Sequence, residues 1–177
     1  MPLRDAIQAR RSERSFAQRS LDLQTLSDLL WAAFGPVSPK RRSAPSSHNR
    51  QETDLYVLLE QGAYIYDPVE NRLIGVTEED LRAASGSQDY VGTAPLELAY
   101  VSDKSKITGK TDRGVVETIY VDTGFISQNV YLFCASEGLA TVVRAMVPKE
   151  SLAAKLQLSP DQEITLVQSV GWKPEEK

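Results

Sequence analysis

Apolar residues near the start of the chain recur at helical spacing: Leu3, Ala6 and Ile7 lead into Arg10, then the pattern breaks at Arg11-Ser12-Glu13-Arg14-Ser15-Phe16. This predicts a short helix over 3–10. From Asp22 to Gly35 the apolar positions 23, 26, 29, 30, 33 and 34 share one helical face, and Gly35-Pro36 closes it. Residues 36–52 are polar, basic and rich in Ser and Pro. They read as a long loop, a kind of segment that is commonly functional or disordered. Period-two and continuous apolar runs then predict strands over 55–60, 62–68 and 72–76, the last two forming a hairpin about Asp67–Asn71. Thr77 followed by Glu78-Glu79-Asp80 has the form of an N-cap with an acidic first turn, predicting a short helix to Ala84.

Residues 95–101 predict a core strand, and 102–118 a charged loop running into a helix start. The longest helical signal covers 119–140, with Ile126, Val130, Phe133 and Cys134 at i, i+4, i+7 and i+8. A short extended piece at Val142-Val143, a capped helix over 148–156 and a strand over 163–172 complete the chain. Strands and helices do not alternate regularly and no repeat is present, so the expected class is α+β, in a single domain over 1–177.

Composition narrows the chemistry. A chain of 177 residues buries roughly 70% of its unfolded surface and needs neither disulfide nor structural metal to hold a core. One cysteine, Cys134, cannot form an internal disulfide, and one histidine, His48, cannot build a His-rich zinc centre, so no metal site is expected. The start carries no apolar signal-peptide region, and no apolar run approaches the roughly 18 residues that span a bilayer. The expectation is a cytoplasmic protein without membrane contact. Net charge is −4, but the first fifty residues carry nine Lys or Arg against four Asp or Glu, leaving −9 for the rest. That asymmetry fits a local anion site better than a nucleic-acid surface, which needs a broader positive field; solvated surface charge is the plainer reading.

Two segments carry candidate chemistry. Arg10, Arg11, Ser12 and Arg14 gather guanidinium forks and a hydroxyl at a helix end, the donor set for phosphate oxygens, or else a solvated basic patch. Pro45-Ser46-Ser47-His48-Asn49-Arg50-Gln51 holds the small hydroxyls and amides that hydrogen-bond a polar heterocycle, or else forms a plain polar loop. Nothing at fixed spacing pairs with His48 as a base, and Cys134, within an apolar helix, reads as a small hydrophobe. The chain has no G-x-S-x-G elbow and neither G-x-G-x-x-G nor G-x-x-x-x-G-K-[ST], which excludes the hydrolase and nucleotide folds that depend on them.

Taken together, Arg10–Phe16, Leu29–Gly35 and Ala44–Gln51 resemble the nitroreductase-like flavoprotein superfamily. Gly62–Pro68 with Asn71-Arg72-Leu73, and Asp122–Leu132, are similar to its branch of SagB-type dehydrogenases and azoline oxidases; without an appended peptide-recognition domain, a dedicated azoline oxidase is not expected. The resemblance implies a central, mostly antiparallel sheet flanked by helices in an intertwined homodimer, with FMN sites built from both subunits. Arg10, Ser12 and Arg14 would hold the FMN phosphate and ribityl chain, with Arg11 nearby. Pro45, Ser46, Ser47 and Asn49 would line the isoalloxazine, partly from the partner. Val143, Arg144 and Ala145 match where the family points backbone N–H groups at flavin N5, and the Arg144 side chain is expected to reach O2 or to narrow the substrate side. The closing residues Trp172 to Lys177 depart from the Lys/Arg pair that members use for further phosphate contacts. The implied function is hydride transfer from NAD(P)H through flavin N5 to a small planar acceptor such as a nitroaromatic or quinone, in ping-pong order, with no catalytic side chain required. A flavin carrier or sensor without NAD(P)H turnover is the alternative.

Overall fold

The structure, a computed structural model, describes residues 1–175. Its centre is a six-stranded, fully antiparallel sheet in the order β5-β4-β3-β6-β8-β7. The strands are β3 (Thr53–Leu59), β4 (Gly62–Asp67), β5 (Arg72–Thr77), β6 (Leu96–Asp103), β7 (Leu139–Arg144) and β8 (Gln162–Trp172). Helices α1 (Leu3–Ala9), α2 (Leu23–Phe34), α3 (Asp112–Glu137) and α4 (Lys149–Lys155) flank it. β3 and β6 are buried along nearly their whole length, because both sheet faces are covered. On one face Leu55, Val57, Leu98 and Tyr100 meet Leu29 and Leu30 of α2 and Ile126 and Val130 of α3. On the other, Tyr56, Leu58, Ala99 and Val101 meet Leu152 and Leu156, on and just beyond α4.

Polar groups set the register of α3 on the sheet. Gln168 Oε1 accepts from Tyr100 Oη (2.6 Å) and Ser127 Oγ (2.9 Å), while Gln168 Nε2 donates to Thr141 Oγ1 (3.0 Å). All four residues are buried, so each group is satisfied only in this alignment.

Several elements differ from the sequence expectation. The 36–52 loop contains a small hairpin, β1 (Pro36–Ser38) with β2 (Arg41–Arg42), and a 3-10 turn at Ser47–Asn49. β5 extends to Thr77, and no α-helix follows, only a 3-10 turn at Ala83–Ser85. Thr77 Oγ1 accepts from Glu79 N–H and Asp80 Oδ1 from Arg82 N–H, local bonds that compete with helical ones. α3 starts at Asp112, seven residues before its apolar periodicity, because Thr111 Oγ1 caps Gly114 N–H. It stops at Gly138, which takes the left-handed conformation (φ 73°) and frees Leu139–Arg144 to form a six-residue strand.

Candidate functional site

β7 is the sheet edge, and the arm between α1 and α2 runs along it. Glu13 N–H donates to the Thr141 carbonyl and Ala17 N–H to that of Trp172, both at 2.9 Å. Phe16 anchors the arm in a small cluster with Ala94, Ala140 and Val142. Gly171 permits this close approach: a Cβ there would stand 2.6 Å from Pro95 and 3.1 Å from Phe16. The anchored arm leaves Arg11, Ser12, Arg14 and Ser15 exposed.

Tyr131, a buried residue of α3, joins this arm to β7. Its Oη hydrogen-bonds Ser12 Oγ at 2.8 Å and accepts from Val143 N–H at 3.0 Å, and the Arg10 guanidinium lies 5.3 Å from its ring centroid. Arg10, Ser12 and Val143, three residues singled out from sequence, therefore converge on one that was not. Among the described residues, Arg10, Arg11 and Arg14 enter no ion pair, whereas Glu13, the only acid of the run, is held by Lys173 at 3.2 Å. The arm is thus a cationic cradle whose own acid is neutralised, and Lys173 supplies a cation beside it from the chain's closing segment. Glu176 and Lys177, also part of that segment, lie outside the described residues.

The second segment is a stapled loop. His48, Asn49 and Gln51 all have φ between 51° and 54°, a conformation costly for non-glycine residues and held only where several bonds over-determine it. Those bonds are present. Gln51 N–H donates to Ser46 Oγ (2.9 Å), Asn49 Nδ2 to the Lys40 carbonyl (2.8 Å) and Arg42 Nε to Gln51 Oε1 (2.9 Å). Ser47 N–H donates to Asp122 Oδ2 of α3 at 2.7 Å. Pro45 and His48 are exposed; Ser46 and Ser47 are half-buried.

Asp122 and Tyr131 stand nine residues apart on α3, roughly 14 Å along the axis and about half a turn around it. One chain therefore holds the two candidate sets on opposite sides of its longest helix and does not bring them into one pocket.

At the third segment, Thr141 and Val143 turn their backbone groups to the open edge, as their bonds to Glu13 and Tyr131 show, so alternation directs those of Arg144 to the ladder with β8. The Arg144 side chain overturns its expected role. It is buried, pairs with Glu97 at 2.8 Å, and donates to Ser169 Oγ and to Ser85 Oγ and carbonyl. It reaches no open face where an O2 atom or an acceptor could lie. Burial raises the Glu97 carboxyl to about 7, against the pull of Arg144 and Ser169. Burial also pushes the Cys134 thiol up, in keeping with an inert core residue.

Tyr131 and Asp122 were missed because they read as ordinary members of the long helix. Their signal is polar residues on its buried face: Asp122, Thr123, Ser127 and Tyr131 are all buried beside Ile126 and Val130.

An antiparallel sheet crossed by one long helix, with a cationic arm along its β7 edge, is the architecture of an oxidoreductase of the nitroreductase fold. The chain belongs to the nitroreductase family, whose profile matches residues 7–172. A protein of Methanocaldococcus jannaschii carrying a nitroreductase assignment is 30% identical over 152 residues, 79% of this chain and 76% of the relative. The crystal structure of a Ralstonia eutropha protein with the same assignment superposes with a TM-score of 0.93 at 37% identity, covering 99% of this chain and 85% of that one. An FMN-dependent nitroreductase of Clostridium difficile shares the fold (TM-score 0.68, 17% identity, 98% and 88% coverage). No helix among the described residues is long and apolar enough to cross a membrane.

Proposed function

We propose that this chain is an FMN-dependent oxidoreductase that works as a homodimer, the cradle of one subunit completed by the stapled loop of the other. The observation that supports this reading is the convergence of Arg10, Ser12 and the Val143 N–H of an edge strand on Tyr131, with Arg11 and Arg14 of the same arm exposed and in no ion pair among the described residues. These donors fit a phosphate ester: Arg10 and Arg14 offer forked N–H pairs, Ser12 a short hydroxyl bond, and Arg11 further positive field. When bound, FMN supplies two-electron chemistry, taking hydride from NAD(P)H and passing it to a small planar acceptor such as a nitroaromatic or quinone, in ping-pong order.

The protein's part is orientation and electrostatics. Tyr131 fixes Ser12 and the Val143 edge relative to one another. Val143 gives its N–H to Tyr131 at the sheet edge, Ala145 follows just beyond β7 as the remaining candidate for the N5 side, and Arg144 acts only through its buried ion pair. Ser46 and Ser47 present hydroxyls and Pro45 an apolar rim to the ring, while Asn49 spends its side chain on the loop's own shape. No side chain is required as acid or base.

Two features support the dimer. The candidate sets lie on opposite sides of α3, and that helix exposes Val121 and Phe125, one turn apart, while α1 exposes Leu3 and Ile7. Apolar residues on neighbouring exposed faces mark an interface.

Titrating apoprotein with FMN tests the reading. The wild type is expected to bind one FMN per chain, and the Arg10→Ala, Arg14→Ala double variant to bind on the order of a hundredfold more weakly, from lost charge-assisted hydrogen bonds. Anaerobic stopped-flow mixing with NADH or NADPH should bleach the flavin; a protein that binds FMN but never bleaches is a carrier, and unchanged affinity in the double variant contradicts the cradle.

A further inference from the structure

Beneath the stapled loop lies a buried acid. Glu52, the residue that joins the loop to β3, is fully buried, and neither of its carboxyl oxygens finds a hydrogen-bond partner. The Asp122 carboxyl lies beside it, itself buried and accepting from Ser47 N–H at 2.7 Å. Two carboxylates have no proton between them to share a hydrogen bond and repel when desolvated together. A buried pair of this kind becomes satisfied when one member keeps a proton. Asp122 already accepts the Ser47 N–H, whereas only Glu52's own backbone N–H comes near the Glu52 carboxyl, so the shared proton is assigned to Glu52. The charged groups around Glu52 are Lys106, from the turn after β6, which attracts its charged form; Arg50, whose guanidinium donates to the Ser47 carbonyl; Asp103, whose N–H donates to the Glu52 carbonyl; and Asp54, two residues on in β3.

We propose that Glu52 and Asp122 share one proton and act as the positioning element of the Ser46–Gln51 loop. Glu52 donates to Asp122, Asp122 as the anion accepts from Ser47 N–H, and the strained residues His48, Asn49 and Gln51 are held by that anchor. Burial and Asp122 together raise the Glu52 carboxyl to about 7 from its usual 4.5. The sign of the linkage follows. Between those two values the folded chain keeps a proton that the unfolded chain has released, so the pair's contribution is complete at low pH and is lost as pH rises through about 7. Above that, two buried like charges push Asp122 and the loop apart. Glu52 and Asp122 touch no cofactor in this account; they act through Ser47. The consequence for flavin rests on the function proposed above, whereas the state of the loop does not.

The experiment therefore reads both. The Ser47 amide resonance and the FMN dissociation constant are followed across pH in full-length protein, wild type and Glu52→Gln. The Gln amide donates to Asp122 at every pH and cannot ionise. In the flavin-free wild type the Ser47 amide is expected to titrate with a midpoint near 7, and FMN affinity to fall about tenfold above it, the worth of roughly one such bond. In Glu52→Gln the Ser47 amide should be flat and match the wild type at low pH, and FMN affinity should keep only the dependence that the phosphate's own second ionisation, about 6, imposes. A Ser47 amide that does not move in the wild type, or that keeps its midpoint in Glu52→Gln, overturns the proposal. Absence of FMN binding at any pH with the Ser47 titration intact contradicts only the flavin reading. Should the Gln variant not fold, the Glu52 carboxyl carbon resonance in the wild type decides: a midpoint near the usual 4.5 overturns the shared proton, and one near 7 supports it.

Discussion

Arg144 and Tyr131 show how far a residue's role depends on what it faces. Arg144 reads from sequence as a bulky cation over a substrate face, yet it spends its donors on Glu97, Ser169 and Ser85 inside the sheet. Tyr131 reads as core and instead collects Ser12, Val143 and Arg10. Sequence periodicity records which face of an element is buried, not which polar partner waits there, so the arginines of the cradle were legible and their hub was not. The buried pair yields a stability prediction. Glu97→Ala leaves Arg144 charged, desolvated and short of its partner, at an expected cost of about 3–5 kcal/mol, whereas Glu97→Leu with Arg144→Met removes both charges and should cost less. Urea unfolding of the two variants measures the difference; equal losses would mean that the pair is not coupled.

At the level of elements, the apolar periods placed α2 and the strands β3, β4, β5, β6 and β8 within a few residues of where they fold, and found the long α3 but not its start. The errors share a cause. The predicted helix before Ala84 and the late start of α3 both turn on side-chain to backbone bonds, from Thr77 and Asp80 in one case and Thr111 in the other, and hydrophobic spacing does not report these. The ends of α3 matter because one helix carries both Asp122 and Tyr131. Thr111→Ala should destabilise by about 1 kcal/mol through loss of the N-cap. Gly138→Ala should cost about 1–2 kcal/mol from its left-handed backbone alone, since a Cβ there meets nothing within 4 Å. Thermal unfolding checks both, and a neutral Gly138→Ala would show that the turn into β7 can relax.

Taken whole, the chain presents two half-sites on opposite sides of α3, with apolar residues exposed on α1 and α3. The +5 charge of the first fifty residues divides between the two segments: Arg10, Arg11 and Arg14 gather on the arm, in no ion pair among the described residues, while Lys40, Arg41, Arg42 and Arg50 lie in the 36–52 loop. The α+β class was readable from sequence, but that the two candidate segments face apart within one chain was not, because sequence spacing does not fix the rotation of a helix against a sheet. The central claim is that the cradle holds a phosphate ester joined to a flavin ring. Binding of FMN and of riboflavin, which lacks the phosphate, to the same apoprotein tests it most directly. The account predicts that FMN binds on the order of a hundredfold tighter than riboflavin, and that Arg10→Ala with Arg14→Ala removes most of that difference. Equal affinity of the wild type for the two flavins, or binding of neither, would contradict it.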